Sequence, residues 1–390
     1  MLLVKEEKVR NKIRCLAEIF FWIGIFCEFT VSFSGYAYGG YQEPLVIIIG
    51  MICFCLKIML SANWKKDIPL FVVFGMYGLL CYYFQNSALI LRIVLILLAG
   101  RDMNREKVIK LFFWGTLIVM LITGVLSFFG VHNELYIDGV FRNELERRFC
   151  FGFFHPNGFS FFVFRLLAFG YYLYGEQLPF WKGTIAYLIV FSLMLLANSK
   201  MGIAVTIACY MACCFIKYCK SEKKNKIIYY GGAGVILAEL ALIFTAGVFM
   251  KVNYEGMHVE NVFWRVISDL TTGRLAYVNK VFHHYIPSLF GYKDFMEATE
   301  VGFINTLYNE GILFFVIYLF VLFVIYRKLY AEKNAWGMLL VIGFSVYSLA
   351  EAFIPYVNKN GVWMMLIGVD FITYIVNQWK GRRKNEKNQN

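Results

Sequence analysis

No two cysteines are spaced Cys-x-x-Cys and none stands at ligand spacing from a histidine, so neither a zinc site nor a disulfide framework is indicated. The ten cysteines (Cys15, Cys27, Cys53, Cys55, Cys81, Cys150, Cys209, Cys213, Cys214 and Cys219) lie in or beside apolar segments, as buried small hydrophobes do. A glycine-rich phosphate loop is also missing. Charge is scarce: Asp, Glu, Lys and Arg make up 16% of 390 residues, against 60% hydrophobic and a mean hydropathy of +0.60. That excludes an ordinary soluble domain, which is about half apolar. No repeat relates two halves of the chain, as many transporters require. The first apolar run, from about Cys15, follows Lys5, Lys8, Arg10, Lys12 and Arg14, but no small-residue cleavage site ends it. A retained first helix is expected rather than a signal peptide.

What fills the chain instead is apolar length. Stretches of roughly 17 to 25 apolar residues, the run needed to cross hydrocarbon, fall at about 15–33, 44–60, 68–84, 87–100, 108–130, 150–174, 183–198, 202–219, 227–250, 303–326, 335–356 and 361–378. The expected fold is all-α: a single integral membrane domain over residues 1–390, a polytopic bundle of about twelve spans, or ten to twelve because the fourth and seventh are short. Forty Phe, 26 Tyr and 8 Trp suit lipid-facing and interfacial positions. The net charge of +12 needs no nucleic acid, since cytoplasmic loops collect Lys and Arg. The N-terminus, Lys65 and Lys66, Arg101 to Lys107, Lys182, the run at 217–226, RKLYAEK at 327–333 and the basic tail 379–390 fall on one side. The loop 131–149, Ser199 and Lys200, residues 251–300 and VNKNG at 357–361 fall on the other. Both termini are therefore predicted cytoplasmic, and the loop 251–300, between the ninth and tenth spans, extracytoplasmic.

Six ionisable residues fall within spans: Glu28, Arg92, Arg165, Glu239, Glu351 and Asp370. Each costs a few kcal/mol unless paired or wetted. Arg165 is expected to pair with Glu239 or Asp370. Arg92, near the outer end of its helix, is expected to snorkel outward toward an anionic headgroup.

Four places on the outer side carry chemistry. ERRFCFGFFHPNGFS at 146–160 sets Arg147 and Arg148 ahead of a helix opening with His155, Pro156 and Asn157. ANSKMGIAV at 197–205 holds Lys200 on a tight turn. In TTGRLAYVNKVFHHYIPSLFGY at 271–292, Thr271 or Thr272 can cap a helix that Pro287 and Gly291 end. Arg274, Val278, Val281 and Tyr285 share one face of it and His284 flanks that face, so an amphipathic interfacial helix is expected. Glu300 then precedes a span whose first turns hold Asn305, Glu310 and Gly311; its carboxylate could serve as a base, orient an arginine or simply charge a helix N-terminus.

Taken in order, these segments resemble the Wzy-type polysaccharide polymerases of the O-antigen ligase and polymerase superfamily. Arg148 followed by Gly152, Phe153, His155, Pro156 and Asn157 is similar to that family's Arg and GFxHPN segment. Ser199, Lys200, Met201 and Gly202 resemble its Ser-Arg-x-Gly turn with Lys for Arg. Gly273, Arg274, Tyr277 and Leu289, Phe290, Gly291 resemble its long outer loop, and Glu300 to Gly311 its following motif, with Glu300 and Val301 where a His-Asn or Asp-Asn pair is usual. The resemblance covers roughly residues 100 to 350. It implies a GT-C-like multi-pass enzyme of the bacterial cell membrane. Such an enzyme transfers a glycan from undecaprenyl diphosphate to a sugar hydroxyl of another lipid-linked repeat unit, with no metal and no cofactor. It implies Arg274, Lys200 and Arg148, with Arg92, at the diphosphate, and Arg274, Glu300, His284 and His155 as the catalytic set, the base being open among the last three. Partners would be the lipid-linked oligosaccharide, membrane lipid, a flippase and a chain-length regulator. A ligase of the same superfamily and a lipid-linked-oligosaccharide flippase are the alternatives.

Overall fold

The computed structural model describes residues 2–37, 43–61, 64–141, 144–219, 221, 223–255, 257–293, 295 and 300–369. Helices dominate because a chain in hydrocarbon must satisfy every backbone N–H and C=O within the segment itself. They are α1 (Leu2–Ala37), α2 (Glu43–Leu60), α3 (Trp64–Gln85), α4 (Leu89–Ala99) and α5 (Arg105–Phe128), then α6 (Pro156–Tyr174), α7 (Phe180–Leu196), α8 (Lys200–Tyr218) and α9 (Lys224–Phe249). After two short helices, α10 (Val262–Leu270) and α11 (Arg274–His284), come α12 (Gly302–Asn305), a π-helical turn (Thr306–Glu310), α13 (Gly311–Ala331), α14 (Ala335–Tyr347) and α15 (Gly361–Met364). Among the described residues six helical stretches are long and apolar enough to cross a membrane, at 10–35, 43–60, 105–128, 200–218, 224–249 and 302–331. Shorter apolar helices lie at 71–85, 89–99, 180–196 and 335–347. Large apolar side chains are exposed along their outer faces, Val73, Met76, Leu121 and Ile189 among them, which suits lipid and not water. The chain is a multi-pass helical membrane protein.

The bundle is joined by aromatic packing. Helix α6 sits against α5, α7, α8 and α14, and α9 lies between α11 and α14. Phe33 stacks on Phe162 at 4.3 Å between centroids, Phe164 on Tyr347 at 4.5 Å, and Phe161 meets Phe353 at 4.8 Å. Ring pairs of this kind add about 0.5–1.5 kcal/mol beyond the area they bury.

Arg165 does not meet Glu239. Its guanidinium donates to the carbonyl of Asn358 (3.0 Å) and the hydroxyl of Thr116 (2.5 Å), among the rings of Phe33, Phe112 and Phe162. Glu239 accepts from Ser348 instead. Two neutral acceptors and three ring faces solvate the cation where one carboxylate was expected. Asp370, the other expected partner, lies outside the described residues, as does the rest of the last span beyond 369 and the tail 379–390.

The segment after α14 departs most from the hydropathy reading. The helix stops at Tyr347 and Ser348–Asn360 is non-helical, so Glu351 is not on a spanning helix. Nor does VNKNG form an outer loop. Asn358 donates to the Glu28 carbonyl and Asn360 to the Tyr318 hydroxyl and the Ile354 carbonyl, and both asparagines are buried. Unwound backbone is tolerated here because protein, not lipid, surrounds it and supplies its partners.

The loop 131–149 folds partly as an antiparallel hairpin, β1 (Tyr136–Phe141) with β2 (Glu144–Phe149), in which Asp138 opposes Arg147. The interfacial helix expected at 271–292 is also different. Helix α11 is packed on α9 with Arg274, Leu275, Ala276, Val278, Asn279 and Val281 buried. Asn279 holds it there, donating to the carbonyls of Ala246, Gly247 and Met250 (3.2, 3.0 and 2.7 Å) where α9 runs out of its own donors. The amphipathic element with an exposed apolar face is the preceding α10, through Val262, Phe263, Val266 and Leu270.

Past α11 the chain re-enters the bundle and closes on the break between the π-helical turn and α13. Ile312 and Leu313 donate to the carbonyls of Ser288 and Leu289, and Gln85 bridges the carbonyls of Phe290 and Glu310. Gly311 has φ +91°, and a Cβ there would lie 2.4 Å from the Gly291 nitrogen and 2.6 Å from the Leu289 oxygen. Both obstacles are backbone, so Gly311→Ala is expected to cost at least about 1–3 kcal/mol, seen as a lowered thermal midpoint in detergent. An unchanged midpoint would contradict this packing.

Candidate functional site

Residues far apart in sequence meet in one cavity of about 180 Å³, lined by Arg148, His155, Asn157, Ser199, Lys200, Thr272, Arg274, Glu300, Tyr347 and Glu351, among others. Each arrives by a local rule. In β2 successive side chains point to opposite faces. Arg147 therefore faces Asp138, a bidentate pair at 2.8 and 2.9 Å, and lies over the Tyr136 ring. Arg148 turns inward and is buried.

Arg148 ties three segments together. It donates to the carbonyls of Ala197 and Asn198, each at 3.1 Å, and to the side-chain oxygen of Asn157 at 3.3 Å. Asn198 takes a left-handed turn (φ +50°) and also donates to Glu146. Ser199 then caps α8 by accepting from the Gly202 N–H, which makes Lys200 the first helical residue. A Cβ at Gly202 would meet Ser199 Oγ at 2.7 Å and Met194 Sδ at 2.8 Å, so glycine there leaves the capping hydroxyl in place. The Lys200 ammonium and the positive end of the α8 dipole thus share one end of a helix. The two repel each other there, and both favour an anion in the cavity.

His155 caps α6, its Nδ1 accepting from the Asn157 backbone N–H at 3.1 Å. That bond assigns the proton of the neutral ring to Nε2. Partial burial, then Arg148 and, less, Arg274, hold the imidazole pKa below its usual value, against an opposing pull from Glu300. Gly152, just past the end of β2, permits φ +83° where a Cβ would meet Thr123 at 2.8 Å.

Arg274 opens α11 after two left-handed residues, Thr272 (φ +56°) and Gly273 (φ +80°). Its guanidinium is held by the Thr272 hydroxyl and the Glu300 carboxylate, each at 2.5 Å, and its Nε is buried without a hydrogen-bond partner. Glu300 is itself about half exposed, with 53% of its side chain accessible, so this pair is reachable from the cavity.

Two residues expected at the site lie elsewhere. Arg92 does not snorkel: it makes a buried bidentate pair with Glu28 (3.0 and 2.6 Å) that joins α4 to α1. A carboxylate one helix away outcompetes a distant headgroup because burial strengthens their attraction. His284 is at the far end of α11, ten residues or about 15 Å from Arg274, exposed and bonded to the Lys280 carbonyl. Sharing a helix face did not bring it to the cavity, since the spacing along the axis separates them.

Two residues were not expected there. Neither threonine caps α11 as expected: Thr271 ends α10, Gly273 stands at the N-cap with no side-chain bond, and Thr272 clamps Arg274 instead. Glu351 carried only the mark of an ionisable group in an apolar run, and the Gly302 N–H to Ser348 carbonyl bond (2.6 Å) brings its segment beside Glu300. Burial and the neighbouring Glu300 raise the Glu351 pKa to about 8, partly opposed by Arg274 and Lys359. Chemically, the cavity offers cations for a polyanion, carboxylates for a proton and an opening for a bulky group. No family model, no curated protein and no solved structure matches the chain.

Proposed function

We propose that this protein polymerises a surface polysaccharide, transferring glycan from undecaprenyl diphosphate to a sugar hydroxyl of another lipid-linked repeat unit. The observation that carries the reading is the convergence of Arg148, Lys200 and Arg274 with His155, Glu300 and Glu351 on one cavity at an end of the bundle. The resemblance to Wzy-type polymerases rests on the same segments.

In this reading the donor diphosphate lies against Arg274 and Lys200. Arg148, committed to the 197–199 turn, holds Lys200 in place. As the bond from the anomeric carbon to the diphosphate oxygen breaks, charge grows on the leaving group and the fixed cations lower its energy. Arginine suits this because its fork meets two phosphate oxygens together. Bound phosphate would compete with Glu300 for Arg274 and satisfy the unpaired Nε. The protein would be a bacterial cell-membrane enzyme of about twelve spans with both termini cytoplasmic and the cavity outside.

Deleting the gene in its source and analysing surface glycan with lipid-linked intermediates tests the reading. Single repeat units displayed outside without long chains are expected. Long lipid-linked polymer that fails to reach its acceptor would assign a ligase, and repeat units trapped inside would assign a flippase.

A further inference from the structure

We infer that Glu351 is the base that takes the proton from the acceptor sugar hydroxyl. This rests on the glycan-transfer reading above and goes beyond it by naming the group that completes the reaction.

The cavity contains two carboxylates in different states. Glu300 is bound to the Arg274 guanidinium at 2.5 Å, and a carboxylate so paired is a poor proton acceptor because losing its charge breaks the pair. The Glu351 carboxylate lines the same cavity yet makes no hydrogen bond or ion pair with another described residue. The other nearby candidate is already used: His155 accepts at Nδ1, leaving Nε2–H a donor. His284 stands outside the cavity. One carboxylate bound in an ion pair and one without a hydrogen-bond partner can divide the work of a site between them. Glu300 positions Arg274, and Glu351 is free to move a proton.

The step balances without a further reactant. Glu351 takes the hydroxyl proton as the oxygen bonds to the donor's anomeric carbon. The bond from that carbon to the diphosphate oxygen breaks, and its electron pair leaves on the diphosphate beside Arg274 and Lys200. Protonated Glu351 returns its proton to water through the cavity mouth. The charged and titratable groups facing Glu351 are Glu300, Arg274 and Lys359, with Arg148, His155 and Lys200 across the cavity. With its pKa near 8, the base form grows as pH rises through that value, so turnover is expected to climb with pH and level off above it.

The test uses full-length protein in lipid nanodiscs with undecaprenyl-diphosphate-linked repeat units recovered from source cells deleted for the gene. Polymer formation is followed at pH values on either side of 8, and donor binding is measured separately. Glu351→Gln is expected to lower kcat by about 10²–10⁴-fold, keep donor binding and lose the rising pH limb. Wild-type kcat with the limb intact would overturn the assignment. If Glu351→Gln no longer binds donor, Glu351→Asp decides: a reduced kcat with a displaced limb supports the base role, and an unchanged rate and limb refutes it. Wild-type protein that binds the donor but forms no polymer would overturn the polymerase reading itself and the base with it.

Discussion

Replacing Arg274 by alanine is expected to abolish long-chain polymer, a loss on the order of 10²–10³-fold or more in turnover, the scale for removing one charge-stabilising donor from a preorganised site. Three features make this the most sensitive position. The side chain is only 10% exposed, so the cation acts where screening by water is weak. Thr272 and Glu300 fix its plane, so little reorganisation is needed as charge develops. Its backbone is the first turn of α11, which Asn279 locks to α9, so the whole unit is held to a spanning helix. Arg274→Lys keeps the charge and loses the fork, and an intermediate rate is expected. Polymer length on gels with protein level matched is the measurement, and normal polymer from Arg274→Ala would refute a role for this arginine at the leaving group.

The second large effect is on stability. Arg92→Ala leaves Glu28 buried between α1 and α4 without its counter-ion, and breaking such a pair costs roughly 3–5 kcal/mol. Its thermal midpoint in detergent is expected to drop sharply. The double variant Glu28→Leu with Arg92→Met, which removes both charges and keeps the volume, is expected to recover most of that loss. A midpoint for Arg92→Ala equal to wild type would mean that the pair seen at 2.6 Å contributes nothing to folding. Activity lost in Arg92→Ala is thus attributed to the bundle and not to the cavity, which Arg92 does not line.

These two arginines mark the boundary of what sequence can tell. Both appear in it as basic residues near apolar runs on the same expected side. Arg274 sits beside a glycine and two threonines that announce a turn, a local feature that a short window contains. Arg92 sits in a plain apolar helix, and its partner is 64 residues away. The same holds for neighbours: Arg147 and Arg148 are identical in type, and only the hairpin register sends one to Asp138 and the other to the cavity.

That the chain is a multi-pass helical membrane protein is legible in its letters alone, because hydropathy summed over some twenty residues is a local quantity and the bilayer reads it directly. The same letters single out Arg148, His155, Lys200, Arg274 and Glu300 as candidates, since tight turns and charges at span ends are written in a few adjacent residues. Long-range packing was needed to bring these five to one cavity, to add Glu351 and to leave Arg92 and His284 outside. It alone ended α14 at Tyr347, buried Asn358 and Asn360 and surrounded Arg165 with rings. Those outcomes depend on which buried polar group finds a partner across the bundle. That choice is made by packing between residues far apart in the chain, where no local pattern can record it.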